Sequence, residues 1–226
     1  MLDAWRRIKV ENELIYLFLR SPVAQVAAII ALISIFGALL APLIAPTDPY
    51  DLASFSLMDG LLPPAWEDGG QPRFPLGTDD QGRDMVSSIL YGARLSLLIG
   101  LMAMVVATVL GVGLGVAAGY LGGTFDAVVM RIADVQLSFP SILIALLIFG
   151  VARGFIAPTD RETAAMWVLI AAIGLSDWVQ YARTVRAVTT MEKRKEYVLA
   201  ARSIGCSAWR IVLVHILPNT LSSILV

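Results

Sequence analysis

The sequence predicts an all-α, polytopic bundle of membrane-spanning helices. The 226 residues are 58% hydrophobic and 15% charged, and the mean hydropathy is +0.76. A soluble domain carries about 25% charged residues, so this chain has too few polar side chains to coat a water-exposed globule. Seventeen Lys and Arg residues oppose 18 Asp and Glu residues, which excludes the basic field of a nucleic-acid-binding protein. A single cysteine, Cys206, excludes an internal disulfide framework.

Four apolar stretches approach or exceed the length of about 20 residues that a transmembrane helix needs. They follow an N-terminal segment, residues 1–22, and they cover residues 23–45, 95–119, 128–152 and 164–182. Ser21 and Pro22 suit the N-cap and the first position of the first helix. A further apolar run begins at residue 211 and reaches residue 226. We expect this run to be the start of a fifth span, with the C-terminal spans missing.

The loop charges predict the orientation of these spans, because cytoplasmic loops are rich in Lys and Arg. Residues 1–22 carry four basic side chains, and residues 183–210 carry seven basic side chains against two acidic ones. Residues 46–93 instead carry eight acidic and two basic side chains, a net charge of −6. The first two segments are therefore predicted to be cytoplasmic and the third external. The remainder, 94–226, is predicted to form the core of the bundle.

Two features predict how the spans pack. Gly111, Gly115 and Gly119 recur at every fourth position of the second span, so they lie on one helical face and allow a neighbouring helix to approach closely. In the third span, Pro140 is expected to kink the helix. Arg131 and Asp134 lie three residues apart there and can pair on one helical face.

The sequence offers no catalytic, cofactor-binding or metal-binding residues. The chain lacks a Gly-Lys pair, so it has no phosphate-binding loop of the Walker type. Its single histidine, His215, has no cluster of cysteines or histidines to complete a metal site. Residues 76–84 are rich in aspartate but fail the calcium-binding EF-hand pattern, and they are expected to form a turn that caps the next helix. The chain is predicted not to be an enzyme.

Residues 192–218 predict a short cytoplasmic helix that needs a partner. Tyr197, Ala200, Ala201 and Ile204 follow the helical spacing i, i+3, i+4, i+7. Gly205 is suited to end this helix, and an isolated helix of this length is marginal in water. An interfacial helix on acidic lipids is the alternative, because a basic run, 193–195, precedes it.

This segment resembles the EAA loop of the permeases of ATP-binding-cassette importers. Ala200, Ala201, Gly205, Leu217 and Pro218 match its spacing, whereas Leu199 occupies the position of its glutamate and His215 that of an isoleucine. Further resemblance to the dipeptide, oligopeptide and nickel branch, and to its C-type subunit, lies in residues 62–66, 75–84, 91–99 and 130–140.

The resemblance implies a type I importer permease fold, lacking the rest of the fifth span and the sixth. It implies a bacterial inner-membrane subunit that pairs with a homologous permease, two cytoplasmic ATPases and an external solute-binding protein, surrounded by lipid. ATP and Mg²⁺ would bind the ATPases and not this chain. The coupling contact would comprise nine residues: Glu196, Tyr197, Ala200, Ala201, Arg202, Ile204, Gly205, Leu217 and Pro218.

Several alternatives stay open at this stage. Peptides are the expected solute, with nickel or glutathione as alternatives within the same permease function. A channel or secondary transporter that works without ATP ranks lower, because such a protein needs an ion site in charged or unwound membrane segments. A membrane scaffold that transports nothing is the remaining class.

Overall fold

A computed structural model describes residues 13–51, 53–54 and 56–221. The predicted all-α class is confirmed, because the regular structure of these residues is helical and their β pairing is limited to one isolated bridge between Thr78 and Asp84. Residues 1–12 of the predicted N-terminal segment and residues 222–226 of the predicted fifth span lie outside the described residues. The chain divides into two compact units, residues 1–98 and 99–226.

The helices are numbered α1 to α10 in chain order. Through the first half of the chain they are α1 (Glu13–Arg20), α2 (Pro22–Leu39), α3 (Ala41–Ile44), α4 (Met85–Leu121) and α5 (Gly123–Leu137). They continue as α6 (Ser141–Phe155), α7 (Arg161–Glu192), α8 (Glu196–Ser203), α9 (Ala208–Arg210) and α10 (Leu217–Leu221). Short 3₁₀ turns occupy Leu57–Asp59 and Pro158–Asp160, and a π-helical segment occupies Ile211–Ile216.

Among the described residues, α2, α4 and residues 164–192 of α7 are long and apolar enough to cross a membrane. The bent pair α5 and α6 makes a fourth candidate if it is counted as one span. The predicted second span, 95–119, lies within α4. The predicted first span, 23–45, covers α2 and α3, which are separated at Leu40 just before Pro42.

The predicted third span, 128–152, falls on α5 and α6, which meet at an angle of 97°. Pro140 lies at the break with extended backbone and precedes the first residue of α6. Because proline lacks an N–H and its ring crowds the preceding turn, it starts a helix more readily than it continues one. The chain therefore turns sharply where the sequence predicted a kink.

Helix α7 continues to Glu192, beyond the predicted end of the fourth span at residue 182. Two arginines of this extension bind α5. Arg186 holds Asp126 through two bonds, Nε to Oδ1 at 2.6 Å and Nη2 to Oδ2 at 2.5 Å, and Arg183 pairs with Asp134. Asp134 thus pairs with a residue of α7 and not, as its spacing predicted, with Arg131. These ion pairs neutralise charged side chains that would be costly to leave unpaired in a membrane-spanning helix.

The glycines of α4 lie against α7. A Cβ atom placed on Gly111 would lie 2.5 Å from Cβ of Tyr181, one on Gly115 would lie 2.6 Å from the carbonyl oxygen of Ala182, and one on Gly119 would lie 2.8 Å from Cβ of Thr189. No real Cβ fits at such distances, so only glycine permits this approach. The core that results combines one large side chain, Trp178, with small and medium ones: Ala118, Val129, Ala133, Val179 and Ala182.

The loop before α4 is folded through its own hydrogen bonds. The Asp84 side chain caps α4, because its Oδ2 accepts bonds from the backbone N–H of Ser87 at 2.7 Å and from the Ser87 hydroxyl at 2.6 Å. The Thr78 hydroxyl donates to the Asp59 carbonyl at 2.5 Å and accepts from the Leu62 N–H at 2.9 Å. Phe74 is buried beneath these turns. Residues 76–84 therefore form a capping turn, as predicted.

Candidate coupling site

Both ends of helix α8 are clearly defined. Its N-cap residue, Lys195, has extended backbone, and Glu196 in the first turn and Arg202 in the last turn both suit the helix dipole. At the other end, the N–H of Cys206 bonds the Ala201 carbonyl at 3.0 Å and the N–H of Gly205 bonds the Arg202 carbonyl at 3.0 Å. This is the Schellman pattern, and it needs the positive φ of +81° that Gly205 has.

One face of α8 is buried. Val198 and Ala201 pack with Ile211 and Ile216 of the following helical segment, and Tyr120 and Cys206 border this cluster. Burying such apolar surface contributes about 25 cal/mol per Å². These contacts are what hold a helix that is too short to be stable by itself.

The predicted coupling residues divide between the two faces of α8. Ala201 is only 5% exposed, so its methyl group supports the helix from within and cannot be a surface contact. Ile204 is 80% exposed. Leu199, which replaces the glutamate of the motif and was not among the predicted coupling residues, is also exposed. The other members of the predicted set between residues 196 and 205 are exposed: Glu196, Tyr197, Ala200, Arg202 and Gly205.

A polar network anchors the start of α8. The buried carboxylate of Glu192 accepts a bond from Lys195 Nζ at 2.6 Å and one from the Tyr197 hydroxyl at 2.5 Å. Asn219 Nδ2 donates to the Tyr197 hydroxyl oxygen at 3.0 Å. The pKa of Tyr197 is raised, first by partial desolvation of its hydroxyl and then by its bond to Glu192. The bond to Glu192 likewise raises the pKa of Lys195.

Two basic side chains connect this segment to the end of α4. Lys193 Nζ donates to the Gly119 carbonyl at 2.7 Å and to the Tyr120 carbonyl at 3.3 Å, where α4 has no further helical N–H donors. The guanidinium of Arg202 lies over the Tyr120 ring, with 5.3 Å between its central carbon and the ring centroid. Arg202 is therefore both exposed and fixed by a cation–π contact.

The chain after Gly205 resumes as a helix of irregular pitch. Ser207 caps α9, accepting a bond from the Arg210 N–H at 3.4 Å. The π-helical segment Ile211–Ile216 follows, ending where the Leu217 N–H bonds the Val212 carbonyl. Pro218 then has no N–H to give and its ring crowds the preceding turn, which disfavours a regular α-helical pitch at this point. Leu217 is partly buried and Pro218 is exposed.

Several of the residues that fix α8 had not been identified from sequence patterns. Glu192, Lys193, Lys195 and Asn219 carry the polar contacts, and Val198 carries the apolar one. The basic run 193–195 was noted only as a candidate lipid contact, whereas two of its members bind protein groups. Within the described part of the chain, no group of three or more Asp, Glu, His or Cys side chains is arranged to hold a metal ion.

Comparison with known proteins places this geometry in a family. Residues 111–226, which include α8 and its supports, match the family described as the inner membrane component of binding-protein-dependent transport systems. The chain belongs to this family. The resemblance found in residues 192–218 is thereby confirmed.

Curated members of this transport family are similar along most of the chain. The dipeptide transport system permease protein DppC of Haemophilus influenzae is 35% identical over 198 residues, which is 88% of this chain and 61% of that protein. The di/tripeptide transport system permease protein DppC of Pseudomonas aeruginosa is 38% identical over 196 residues, 86% of this chain and 60% of that protein. The glutathione transport system permease protein GsiD of Pectobacterium atrosepticum is 34% identical over 224 residues, 99% of this chain and 65% of that protein. The chain thus spans about three fifths of the length of the first two relatives.

Proposed function

We propose that this chain is a permease subunit of an ATP-driven importer and forms half of a translocation path for dipeptides and oligopeptides. Family membership supports the permease function, and the similarity to dipeptide and di/tripeptide permeases supports the solute class. A homologous permease would supply the other half of the path. The subunit would lie in a bacterial inner membrane with its N-terminus and α8 on the cytoplasmic side, as the basic loops predict.

Helix α8 is the observation that carries this proposal. A coupling element has to be rigid toward its own subunit and open toward its partner. The inner face of α8 is fixed by Val198 and Ala201, and its end is fixed by the contact of Arg202 with Tyr120. Its outer face offers Leu199, Ala200 and Ile204 to solvent. We infer that a cytoplasmic ATPase covers this outer face.

The proposed division of labour follows from the coupling surface. ATP and Mg²⁺ bind the two ATPase partners, and their closure pushes on α8. Lys193 and Arg202 both contact the C-terminal end of α4, so a displacement of α8 reaches a candidate span directly. Such a push turns ATP-driven closure into a change of access to the path between the two permeases.

Glutathione is the second solute that a specific observation favours. The similarity to the glutathione permease covers nearly the whole chain at an identity close to that of the dipeptide permeases. Glutathione is itself a tripeptide, so both solutes present peptide bonds and terminal charges. Nickel, an alternative implied by the resemblance to the dipeptide, oligopeptide and nickel branch, is the third solute measured in the uptake test.

The test uses the complete transporter reconstituted in lipid vesicles. Ala200→Glu puts a charge on the exposed face of α8 and is expected to reduce ATP-dependent uptake of labelled dipeptides about tenfold or more, while leaving the amount of assembled subunit unchanged. Ala201→Glu buries the same charge in the cluster under α8, so it is expected to lower the thermal stability of the subunit as well. Ala65→Glu, at an exposed alanine in the loop before α4, is the matched control and is expected to transport normally.

Three outcomes would contradict the proposal. Uptake by Ala200→Glu at the wild-type rate would remove the outer face of α8 from coupling. Uptake that persists without ATP or the ATPases would favour a channel or secondary transporter. If wild-type vesicles import glutathione or nickel but no dipeptide, the permease function would stand and the solute assignment would change.

A further inference from the structure

Three large apolar side chains project into solvent from one short turn of the loop before α4. They belong to residues 57–61, named here the 57–61 turn: Leu57 is 77% exposed, Met58 is 92% exposed and Leu61 is 75% exposed. The same loop does bury other apolar groups, as Phe74 shows. Side chains this exposed on an otherwise folded loop are typical of a surface that another molecule covers.

The turn is held in place by backbone contacts on both sides. A Cβ on Gly82 would lie 2.0 Å from the carbonyl oxygen of Ser56, the residue before the turn, so only glycine permits this close approach. The Leu61 N–H bonds the Asp79 carbonyl at 2.9 Å. These backbone contacts therefore hold Met58 and its neighbours in their exposed positions.

Leu61 adds a backbone observation. Its φ of +58° lies in the left-handed region, where it is the one non-glycine residue of the described chain. A leucine is strained there and a glycine would not be, yet the leucine side chain is not used for packing within the loop. Because the strained leucine adds no packing to the loop, its exposed side chain is a candidate contact for another molecule.

The surroundings of the turn are acidic. Asp80 is exposed, and its carbonyl oxygen lies 3.3 Å from the position that a Cβ on Gly60 would take, so it adjoins the turn. Glu67 and Asp68 are exposed on the same loop, and residues 46–93 have a net charge of −6. Anionic lipid would repel such a surface. A protein face with Lys and Arg around an apolar pocket would complement it.

We propose that the 57–61 turn is a docking contact for the water-soluble solute-binding protein that delivers substrate to this permease. This inference rests on the proposed function, which requires such a partner. Leu57, Met58 and Leu61 would enter an apolar depression on the binding protein, and Asp80 would face basic side chains at its rim. The acidic charge of the loop would also steer the partner toward the turn.

The test measures the affinity of the purified solute-binding protein of the same transporter for the complete transporter in lipid nanodiscs. Met58→Asp is expected to weaken binding about tenfold. Leu61→Gly removes the side chain while relieving the backbone, so binding should weaken about threefold in a loop that is better protected from hydrogen exchange. Asp80→Asn should weaken binding about threefold and reduce its dependence on salt. Trp66→Asp, at a 70% exposed side chain outside the turn, is the matched control and should bind within about twofold of wild type.

Wild-type affinity of both Met58→Asp and Leu61→Gly would overturn the assignment of the turn. An equal loss in Trp66→Asp would overturn it too, since the effect would then belong to the whole loop. A change in binding to lipid vesicles, with the binding protein unaffected, would assign the turn to lipid instead. If the wild-type transporter itself fails to bind the protein, the proposed function fails as well, which separates the two failures.

Discussion

Two segments that adjoin the candidate spans keep their shapes by different physical means. The loop at 56–84 is held mainly through its backbone, by close contacts at Gly77 and Gly82 and by side chains that bond main-chain groups. The segment at 192–220 is held mainly through side chains, by the apolar cluster under α8 and the network on Glu192. A segment of the first kind depends on residues that lack a side chain, and one of the second kind depends on which side chains meet.

The largest expected difference comes from the same substitution in each segment. Gly82 and Gly205 have nearly equal φ values, +80° and +81°. Alanine at Gly205 meets no atom within 4 Å and should cost only the strain of the left-handed region, about 1–2 kcal/mol. Alanine at Gly82 also collides with the Ser56 carbonyl, so we expect about 3 kcal/mol or more and local unfolding of the loop.

Hydrogen exchange of residues 56–84 and 196–206 in the two variants measures this difference. Each variant serves as the control for the other, because the segment it leaves unchanged should keep wild-type protection. Equal loss of protection in the two segments would show that the close approach at Gly82 adds nothing to its backbone strain.

A smaller effect is expected from Tyr197→Phe. The Glu192 carboxylate is buried, and this variant removes one of its two hydrogen-bond donors while keeping the aromatic ring. Leaving a buried acceptor undersatisfied costs about 1–3 kcal/mol. The midpoint of thermal unfolding in detergent and the protection of α8 should both fall. Tyr50→Phe, at an exposed tyrosine, should change neither, and a Tyr197→Phe variant as stable as wild type would remove the network from the anchoring of α8.

The smallest effect is expected from acid, in the loop alone. Burial by itself would raise the pKa of Asp79, but the bonds its carboxylate accepts from Arg83 and Gln81 outweigh burial, and the pKa lies below the ordinary 3.8. A carboxylate with a lowered pKa stabilises the fold above the pKa of the unfolded chain, and this stabilisation is lost as the pH falls through the folded-state pKa. The loop should therefore open below about pH 4.

Cleavage of the loop by pepsin, which acts in acid, measures this opening as the pH is lowered. In Asp79→Asn the bonds to the carboxylate are weakened at every pH, so cleavage should be faster at the upper end of the range and vary less with pH. An identical pH profile in wild type and Asp79→Asn would exclude this carboxylate as the titrating group.

Much of the local structure follows from single residues. Pro140 marks the sharp turn between α5 and α6, Gly205 ends α8 with a positive φ, and the aspartates of residues 76–84 form the turn that caps α4. Each of these effects acts within a few residues of the chain. The spacing of Gly111, Gly115 and Gly119 likewise predicts one helical face on which another helix packs closely. It does not predict which helix that is.

The partners across the fold could not be predicted in the same way. Asp134 had a basic residue at helical spacing, Arg131, yet it pairs with Arg183 of α7. Ala201 shares a motif with Ala200, but one is buried and the other exposed, because the cluster of Ile211 and Ile216 lies on one side only of α8. Short motifs carry spacing and residue type but not the direction from which a neighbouring element approaches.

By itself, the sequence determined the helical class, the apolar segments, the breaks at Pro140 and Gly205, and the resemblance of residues 192–218. It did so because hydrophobicity, glycine and proline act on the nearest residues of the chain. Only the tertiary structure decided that Glu192 is buried under Lys195 and Tyr197, that Arg202 lies over Tyr120, and that Leu57, Met58 and Leu61 remain in solvent. Burial and pairing depend on segments far apart in the chain, and packing alone brings those segments together.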